Sequence, residues 1–151
     1  YGTKGNVLTS TNPLSQTTTL TYNSFSQPLT VTNPLSQVTT YTYDSNGNLL
    51  TVTDPLSRTT ATVGYDSYGQ ATAVEDALER TTTGSYDTHG NVTSVTQPGN
   101  ITTTATYDAL NRVTSVTDAG DNTTSVAYDP LGRVVLVTNP DDSEVEAEYN
   151  L

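Results

Sequence analysis

The chain has 151 residues, a formal charge of −11 and a pI near 4.1, with 14% charged residues and no cysteine. This charge argues against nucleic acid as a partner, because phosphates are neutralised by Lys and Arg, and it disfavours anionic membranes. No apolar run is long enough for a membrane-spanning helix, and without cysteine there are no disulfides, thiol chemistry or zinc ribbons. The 33 threonines and the low hydrophobic fraction of 32% favour thin β-structure over a thick aliphatic core.

A tyrosine recurs about every 21 residues, at Tyr1, Tyr22, Tyr43, Tyr65, Tyr86, Tyr107, Tyr128 and Tyr149. This period predicts one array of seven repeats, at 1–21, 22–42, 43–64, 65–85, 86–106, 107–127 and 128–148, followed by the start of an eighth. The third repeat holds one extra residue, which we place near Ala61 to Gly64. Because neither an initiator methionine nor a signal peptide precedes Tyr1, we expect an excerpt of a longer protein.

Further positions keep the same period. An aspartate follows the tyrosine at Asp44, Asp66, Asp87, Asp108 and Asp129. A glycine stands three positions later at Gly5, Gly47, Gly69, Gly90 and Gly132. A valine recurs at Val31, Val52, Val74, Val95, Val116 and Val137, and most repeats then carry Asn or Asp before Pro.

Each repeat therefore contains two turn signals with a short strand after each. In Tyr-Asp-x-x-Gly, the Asp caps the turn backbone and the Gly accepts a positive φ. In Asn-Pro-Leu-Ser and its variants the Pro presets φ, and in Gln97-Pro98-Gly99-Asn100 the glycine suits a type II turn. The stretches between the turns, such as Asn48–Thr53 and Gln37–Tyr43, have the length of strands of ~20 Å.

The predicted fold is all-β: tandem β-hairpin repeats of about 21 residues in one continuous antiparallel meander that coils into a spiral wall, tube or shell. A parallel β-helix with a 21-residue coil is the alternative, but two tight turns per repeat favour hairpins. Leu20, Tyr41, Ala105 and Val126 alternate with the tyrosines on one strand face. In the other strand of each repeat, apolar residues stand at both odd-numbered and even-numbered positions, as at Leu49 and Val52. Either a bulge or a wall half-buried on both sides would explain this pattern.

The segment from Tyr128 to Pro140, Tyr-Asp-x-x-Gly-Arg-Val-x-x-Val-Thr-Asn-Pro, resembles the YD repeat, also called the RHS repeat, and Tyr107 to Asp118 is similar. The resemblance covers the whole chain. It implies β-hairpins that coil into hollow shells, which enclose a toxic domain in bacterial toxins, whereas similar barrels in teneurins serve adhesion. The family often has Arg after the turn glycine; here only Arg112 and Arg133 occupy that position.

We expect a non-enzymatic structural protein, an extracellular wall of bacterial or other microbial origin that forms a fibre, tube or surface stalk. The first alternative is a slice of a hollow shell around a toxin domain. The second is a cell-surface adhesin for glycans or a partner protein, with Tyr68, the insertion near Val63-Gly64 and the acidic C-terminal end as candidate sites. The expected partners are copies of the chain or adjacent YD repeats, an encapsulated toxin domain, or surface glycans.

No residue pattern predicts catalysis. The single histidine, His89, lies in a predicted turn, and turn geometry alone accounts for the aspartates. No cofactor is expected, although Asp118, Asp121 and the cluster Asp141-Asp142-Ser143-Glu144 offer oxygen ligands for calcium as a weaker alternative. The repeated tyrosines are expected to form the inward core of the wall. The threonines are expected to be strand formers on a solvated side, in preference to a site for sugars or ice.

Overall fold

The computed structural model describes residues 1–150, apart from the side chains of Thr60 and Thr62, and every regular element in it is a β-strand. The chain divides into an N-terminal half, Tyr1–Thr81, and a C-terminal half, Thr82–Leu151. The N-terminal half contains β1 (Thr9–Thr11), β2 (Thr17–Tyr22), β3 (Pro28–Thr32), β4 (Val38–Tyr43), β5 (Leu49–Thr53), β6 (Thr59–Tyr65) and β7 (Ala71–Asp76). The C-terminal half contains β8 (Thr81–Tyr86), β9 (Val92–Gln97), β10 (Ile101–Tyr107), β11 (Val113–Thr117), β12 (Thr123–Tyr128), β13 (Val134–Thr138) and β14 (Glu144–Glu146).

Within each half the strands form antiparallel hairpins with their neighbours in sequence. In the N-terminal half β1 to β7 pair in consecutive order. In the C-terminal half β8 to β14 do the same. The predicted all-β fold of tandem hairpins is confirmed, and the parallel β-helix is wrong because five-residue turns cannot carry a crossover connection.

A β-bulge recurs in each hairpin that follows a tyrosine. In the β4–β5 pair Tyr43 lies opposite Leu49 and Thr42 opposite Thr51, so that Leu50 has no partner. The same shift occurs at the ends of β2, β6, β8, β10 and β12. The bulge puts Leu49 and Val52 on one face, because they oppose Tyr43 and Tyr41. Of the two explanations left open by the sequence, the bulge is therefore present.

The extra residue of the third repeat also forms a bulge. Val52 pairs with Ala61 and Thr53 with Thr59, so the register shifts between Val52 and Thr53. The insertion thus lies at this shift, next to the predicted range near Ala61 to Gly64. It is accommodated next to a turn of ordinary length, since Asp54 still bonds to the carbonyl of Arg58.

The two faces of each half differ in chemistry. One face carries the cross-strand pairs Leu20–Val31, Tyr41–Val52, Ala105–Val116 and Val126–Val137. The other carries threonine pairs, with Oγ1–Oγ1 distances of 2.7 Å for Thr21–Thr30 and 2.6 Å for Thr42–Thr51.

No described residue is fully buried, so the chain has no conventional core in residues 1–150. The expectation that the tyrosines form an inward core needs correction on this point. Tyr22, Tyr43, Tyr65, Tyr86, Tyr107 and Tyr128 are half-buried. The physical reason is that each half is one layer of strands, and a single layer covers a side chain only from below and from its sides. No helix in the described residues has the length and apolarity to cross a membrane.

Candidate functional site: the repeated hairpin turns

The turn after each tyrosine is organised by one carboxylate. Asp44 Oδ1 accepts hydrogen bonds from the N–H groups of Asn46 at 2.9 Å and Asn48 at 2.8 Å, and Oδ2 accepts the Asn48 amide at 2.9 Å. The Gly47 N–H donates to the Asp44 carbonyl at 3.1 Å. The five aspartates at this position bond the two backbone N–H groups in the same way: Asp44, Asp66, Asp87, Asp108 and Asp129. Their recurrence follows from turn geometry, because a short side-chain acceptor replaces a backbone one.

The turns at the opposite edge of the sheet have the same pattern of hydrogen bonds from backbone N–H groups to one side chain. Asp54 Oδ1 accepts the N–H groups of Leu56 at 2.9 Å and Arg58 at 3.0 Å, and Oδ2 accepts Arg58 Nε at 2.7 Å. Asn12 and Asn33 make equivalent bonds through their side-chain oxygens. The sequence motifs predict two different turn types, whereas the structure has one type at both edges. The pattern that indicates this common type is an Asn or Asp followed four residues later by Asn, Gln or Arg.

The residue three positions after the Asp or Asn adopts a left-handed conformation. The glycines predicted to need a positive φ have it, with φ +89° at Gly47, +80° at Gly69, +86° at Gly90 and +83° at Gly132. Gly99 likewise has φ +88°, the sign that a type II turn requires. Serines take the same place on the other edge, with φ +60° at Ser15, +61° at Ser36 and +62° at Ser57. The serines were not predicted, because nothing in a lone serine indicates a left-handed backbone.

The tyrosine hydroxyl links each hairpin to the one before it. Tyr43 lies opposite Leu49 in its own hairpin, and its hydroxyl donates to the carbonyl of Pro28 at 2.9 Å. Pro28 occupies the place of Leu49 one repeat earlier. The same bond spans 15 residues from Tyr22 to Val7, Tyr107 to Val92, Tyr128 to Val113 and Tyr149 to Val134. Tyr65 and Tyr86 end β6 and β8 and lie opposite Ala71 and Val92.

The residue after the left-handed position forms a second link between hairpins. Gln27 Nε2 donates to the Gly47 carbonyl at 2.6 Å, and Asn91 Nδ2 donates to Asn111 Oδ1 at 2.8 Å. Arg112 binds Asp108 Oδ2 through Nε at 2.7 Å, while its guanidinium lies 4.3 Å from the centre of the Tyr128 ring. At Gln27 and Asn91 the departure from the family's arginine therefore keeps a polar link through a shorter side chain.

Hydrogen bonding keeps the turn carboxylates ionised. The backbone N–H of Asn48 lowers the pKa of Asp44 below its ordinary value of 3.8, and the Arg58 side chain lowers that of Asp54. The side chain of Asn91 lowers the pKa of Asp87, and that of Arg112 lowers the pKa of Asp108. A general acid needs the opposite shift, so these carboxylates are unsuited to donating a proton near neutral pH.

The remaining candidate residues belong to different turns. His89 sits in its turn, where its N–H donates to Asp87 Oδ1 at 2.8 Å. In the acidic cluster Asp141 Oδ1 already accepts the Ser143 hydroxyl at 2.6 Å. Among residues 1–150 no three carboxylate or imidazole groups converge as a metal site would require. Calcium at these turns stays a prediction. Tyr68 is 87% exposed at the tip of its turn.

The chain is thus one of the proteins built from tandem β-hairpins, in which recurring turn side chains and tyrosine side chains join one hairpin to the next. The family model RHS Repeat matches residues 23–59, 65–104 and 107–144, about three quarters of the chain. The chain therefore belongs to the RHS-repeat family. No curated protein matches it.

Solved structures with the same fold are Tc toxin components. Against the Tc holotoxin pore of Photorhabdus luminescens the TM-score is 0.66 at 18% identity, covering 82% of this chain and 7% of that one. Against TcdB2-TccC3-TEV the TM-score is 0.70 at 22% identity, and the match covers 93% of this chain and 9% of that one. Against TcdB2-TccC3-Cdc42 the TM-score is 0.67 at 18% identity, and the match covers 82% of this chain and 7% of that one. The chain thus spans less than a tenth of the length of these structures.

Proposed function

We propose that the chain is a non-enzymatic structural segment, a stretch of wall made from YD hairpins. The observation that carries this proposal is where the recurring side chains act. The turn aspartates bond their own turns, and the tyrosine hydroxyls bond the preceding hairpin. The recurring residues thus hold turns and neighbouring hairpins together, and they do not converge on one binding site for a substrate.

The form of the wall that we favour is a slice of a hollow shell around a toxin domain. The support is the likeness to TcdB2-TccC3 components of Tc toxins and the match to the RHS-repeat family. In this form the partners are adjacent YD repeats and an enclosed domain, and the protein is secreted or displayed by a bacterium.

A fibre, tube or surface stalk is the second form. The observation in its favour is the sameness of the repeats: bulge, turn carboxylate and tyrosine bond recur in both halves with one geometry. Such units can be added without limit, since each uses only contacts to its neighbours.

Electron microscopy of the native parent protein tests the wall and separates its two forms. The proposal predicts a particle whose boundary is a single β-sheet layer. A closed body with density inside identifies the shell, and a continuous tube with a short axial repeat identifies the fibre. A parent protein in which these hairpins pack into a solid globular domain would contradict the wall in either form.

An adhesin is a further candidate because aromatic side chains project from two turns. Phe25 is 73% exposed and Tyr68 is 87% exposed. Exposed aromatic rings at turn tips suit stacking against sugars. A glycan array probed with the wild-type chain and with Tyr68→Ser and Phe25→Ser variants tests this function. Specific binding that the variants lose would favour the adhesin over the purely structural wall.

A further inference from the structure

One turn of the chain contains a chemically reactive pair of residues. Of the twelve asparagines only Asn46 precedes a glycine, Gly47, whereas each of the others precedes a residue with a side chain. A glycine leaves its backbone nitrogen open to the preceding side chain, because it has no Cβ. Asn46 is therefore the asparagine of this sequence with the least hindrance to ring closure on the next backbone nitrogen, the reaction that leads to deamidation.

The fold requires the glycine of this pair but not the asparagine. Gly47 has φ +89°, and a Cβ at this place would lie 3.2 Å from Gln27 Nε2. At the other turns with glycine in the same position the preceding residue is Lys4, Tyr68, His89 or Leu131. The reactive pair thus arises in one repeat, through the asparagine at the tip of its turn.

The side chain of Asn46 is free to react. Asn46 is exposed, and its carboxamide makes no hydrogen bond to any residue that the structure describes. Asn48, two residues later, instead donates from Nδ2 to Asp44 Oδ2 at 2.9 Å. No hydrogen bond therefore holds the Asn46 carboxamide away from the Gly47 nitrogen.

The backbone of the same turn is held, and this opposes the reaction. Asp44 Oδ1 accepts the N–H groups of Asn46 at 2.9 Å and of Asn48 at 2.8 Å. The N–H of Gly47 donates to the Asp44 carbonyl at 3.1 Å. Because the attacking nitrogen is itself the donor in a turn hydrogen bond, ring closure requires that bond to break. The reaction of the folded chain is thus limited by local opening of the turn.

We propose that Asn46 is a deamidation site whose rate is set by the turn hydrogen bonds of Asp44. In the reaction the Gly47 nitrogen bonds to Asn46 Cγ and loses its proton, and Nδ2 leaves with that proton as ammonia. Water then adds to one of the two carbonyls of the succinimide ring and opens it to aspartate or isoaspartate. No electrons are transferred, and water is the only co-reactant.

Deamidation changes this turn in two ways. Both products add a negative charge beside Asp44, in a chain whose charge is already −11. Isoaspartate also lengthens the backbone between Asp44 and Asn48 by one carbon, so that the two N–H groups no longer converge on one carboxylate oxygen. The modified turn loses the bonds that slowed the reaction. The reaction goes beyond the wall function, since it needs one hairpin and no neighbouring repeat.

Peptide mapping by mass spectrometry of the 151-residue chain, incubated at mildly alkaline pH, tests the site. Asn46 is expected to be the first residue deamidated, both in the folded chain and in the chain unfolded by guanidinium chloride. The folded chain should react at least ~tenfold more slowly, because the turn must open first. Earlier deamidation of another asparagine, or equal rates in the folded and unfolded chains, would overturn the proposal.

Substitutions at Asp44 test what sets the rate. Asp44→Ala removes the acceptor of two N–H groups and should speed the reaction of the folded chain about tenfold, with no change in the unfolded chain. Asp44→Asn keeps an acceptor oxygen, as Asn12 and Asn33 do, and should react as slowly as the wild type. Asp66→Ala is the matched control, since it removes the same bonds from another turn. A folded Asp44→Ala chain that reacted at the wild-type rate would refute the role of Asp44.

Transfer of the asparagine to another turn gives a measurement that does not depend on losing a bond. In the double variant Asn46→Ser/Tyr68→Asn, an asparagine precedes Gly69 in the turn of Asp66, whose Oδ1 accepts two N–H groups at 2.9 Å. This chain should deamidate at position 68, as slowly as the wild type does at position 46. Reaction of the folded double variant at the rate of the unfolded chain would show that these turn bonds give no protection, which contradicts the proposal.

Discussion

The tyrosine hydroxyl is a recurring group that reaches from one repeat into the preceding one. In Tyr128 it donates to the carbonyl of Val113 at 2.8 Å, at the start of the preceding hairpin. The acceptor lies beside the bulge at the end of β10, outside the residues of β11 that pair with β12, so that the phenol replaces a partner that the strand ladder does not supply. A hydroxyl at this place explains why the tyrosine, and not phenylalanine, marks the period.

The first prediction concerns this hydroxyl. Tyr128→Phe should lower the free energy of unfolding by about 0.5–1.5 kcal/mol, because it removes one hydrogen bond and leaves the ring in place. Thermal unfolding followed by circular dichroism measures the change. Tyr68→Phe is the control, since that side chain is exposed at the tip of a turn. Equal stability of Tyr128→Phe and wild type would show that the bond contributes nothing.

The second prediction concerns the left-handed serines. Ser57 has φ +62°, which a residue with a Cβ adopts at a cost of ~1–2 kcal/mol. Ser57→Gly should raise the free energy of unfolding by about 0.5 kcal/mol. Glycine removes the cost of the left-handed backbone in the folded state, but it also increases the conformational entropy of the unfolded chain, which offsets part of the gain. Ser45→Gly, in a turn position without positive φ, should lower it. Denaturant titration of both variants checks the opposite signs, and the same sign for both would refute the argument.

At the scale of the hairpin, the turn is the element that fixes register. An Asp or Asn, a left-handed residue and a polar residue next to it form one unit at both edges of the sheet. Since side chains alternate faces along a strand, any slip of one residue would exchange the tyrosine face for the threonine face. The bonds from Asp44 Oδ1 to two backbone N–H groups oppose such a slip.

The third prediction is the acid dependence of these turns. Eight turn aspartates have a lowered pKa: Asp44, Asp54, Asp76, Asp87, Asp108, Asp118, Asp129 and Asp141. A lowered pKa contributes stability that is present above the ordinary value of 3.8 and lost as pH falls through the folded value. Between neutral pH and the pI of 4.1, acidification instead relieves repulsion within the −11 chain. Stability should therefore pass through a maximum above about pH 4 and fall steeply below it.

Thermal melts between neutral and strongly acidic pH measure this profile. Asp44→Asn is the matched variant, because Asn12 and Asn33 make the same turn bonds without a charge. It should lose less stability on acidification than the wild type. A stability that kept rising throughout acidification would contradict the role of the ionised carboxylates.

The hairpins could be predicted from sequence because their causes are local. The Tyr-Asp-x-x-Gly signal at residues 43–47 contains the cap, the left-handed residue and the strand end together. The bulge at Leu50 could not be chosen from sequence, since apolar residues at both parities fit two explanations. The left-handed Ser57 and the polar link from Gln27 to Gly47 were missed because neither residue type is specific for its role. The absence of a covered core among residues 1–150 could not be predicted either, because an alternating strand does not reveal whether a second layer covers it.

At the scale of the whole molecule, the repeats are equivalent building units. From Asn12 to Asp129 the same pair of turn bonds recurs at every turn except the one that begins at Gln97, and the tyrosine bond spans 15 residues in both halves. A protein that works through one site would instead depend on the particular repeat that carries that site. The match of the RHS Repeat model to three successive stretches, 23–59, 65–104 and 107–144, fits the first description.

Removal of one complete repeat is the measurement that tests this claim most directly. Deletion of residues 107–127 joins Thr106 to Tyr128 and leaves every later turn on its own edge of the sheet. We predict a chain that still unfolds cooperatively by circular dichroism, with β-structure reduced in proportion to its length. Deletion of residues 107–117, about half a repeat, should be far more damaging because it moves the following turns to the opposite edges. Equal damage by the two deletions would contradict the account, since it would mean that the chain is not built from equivalent units.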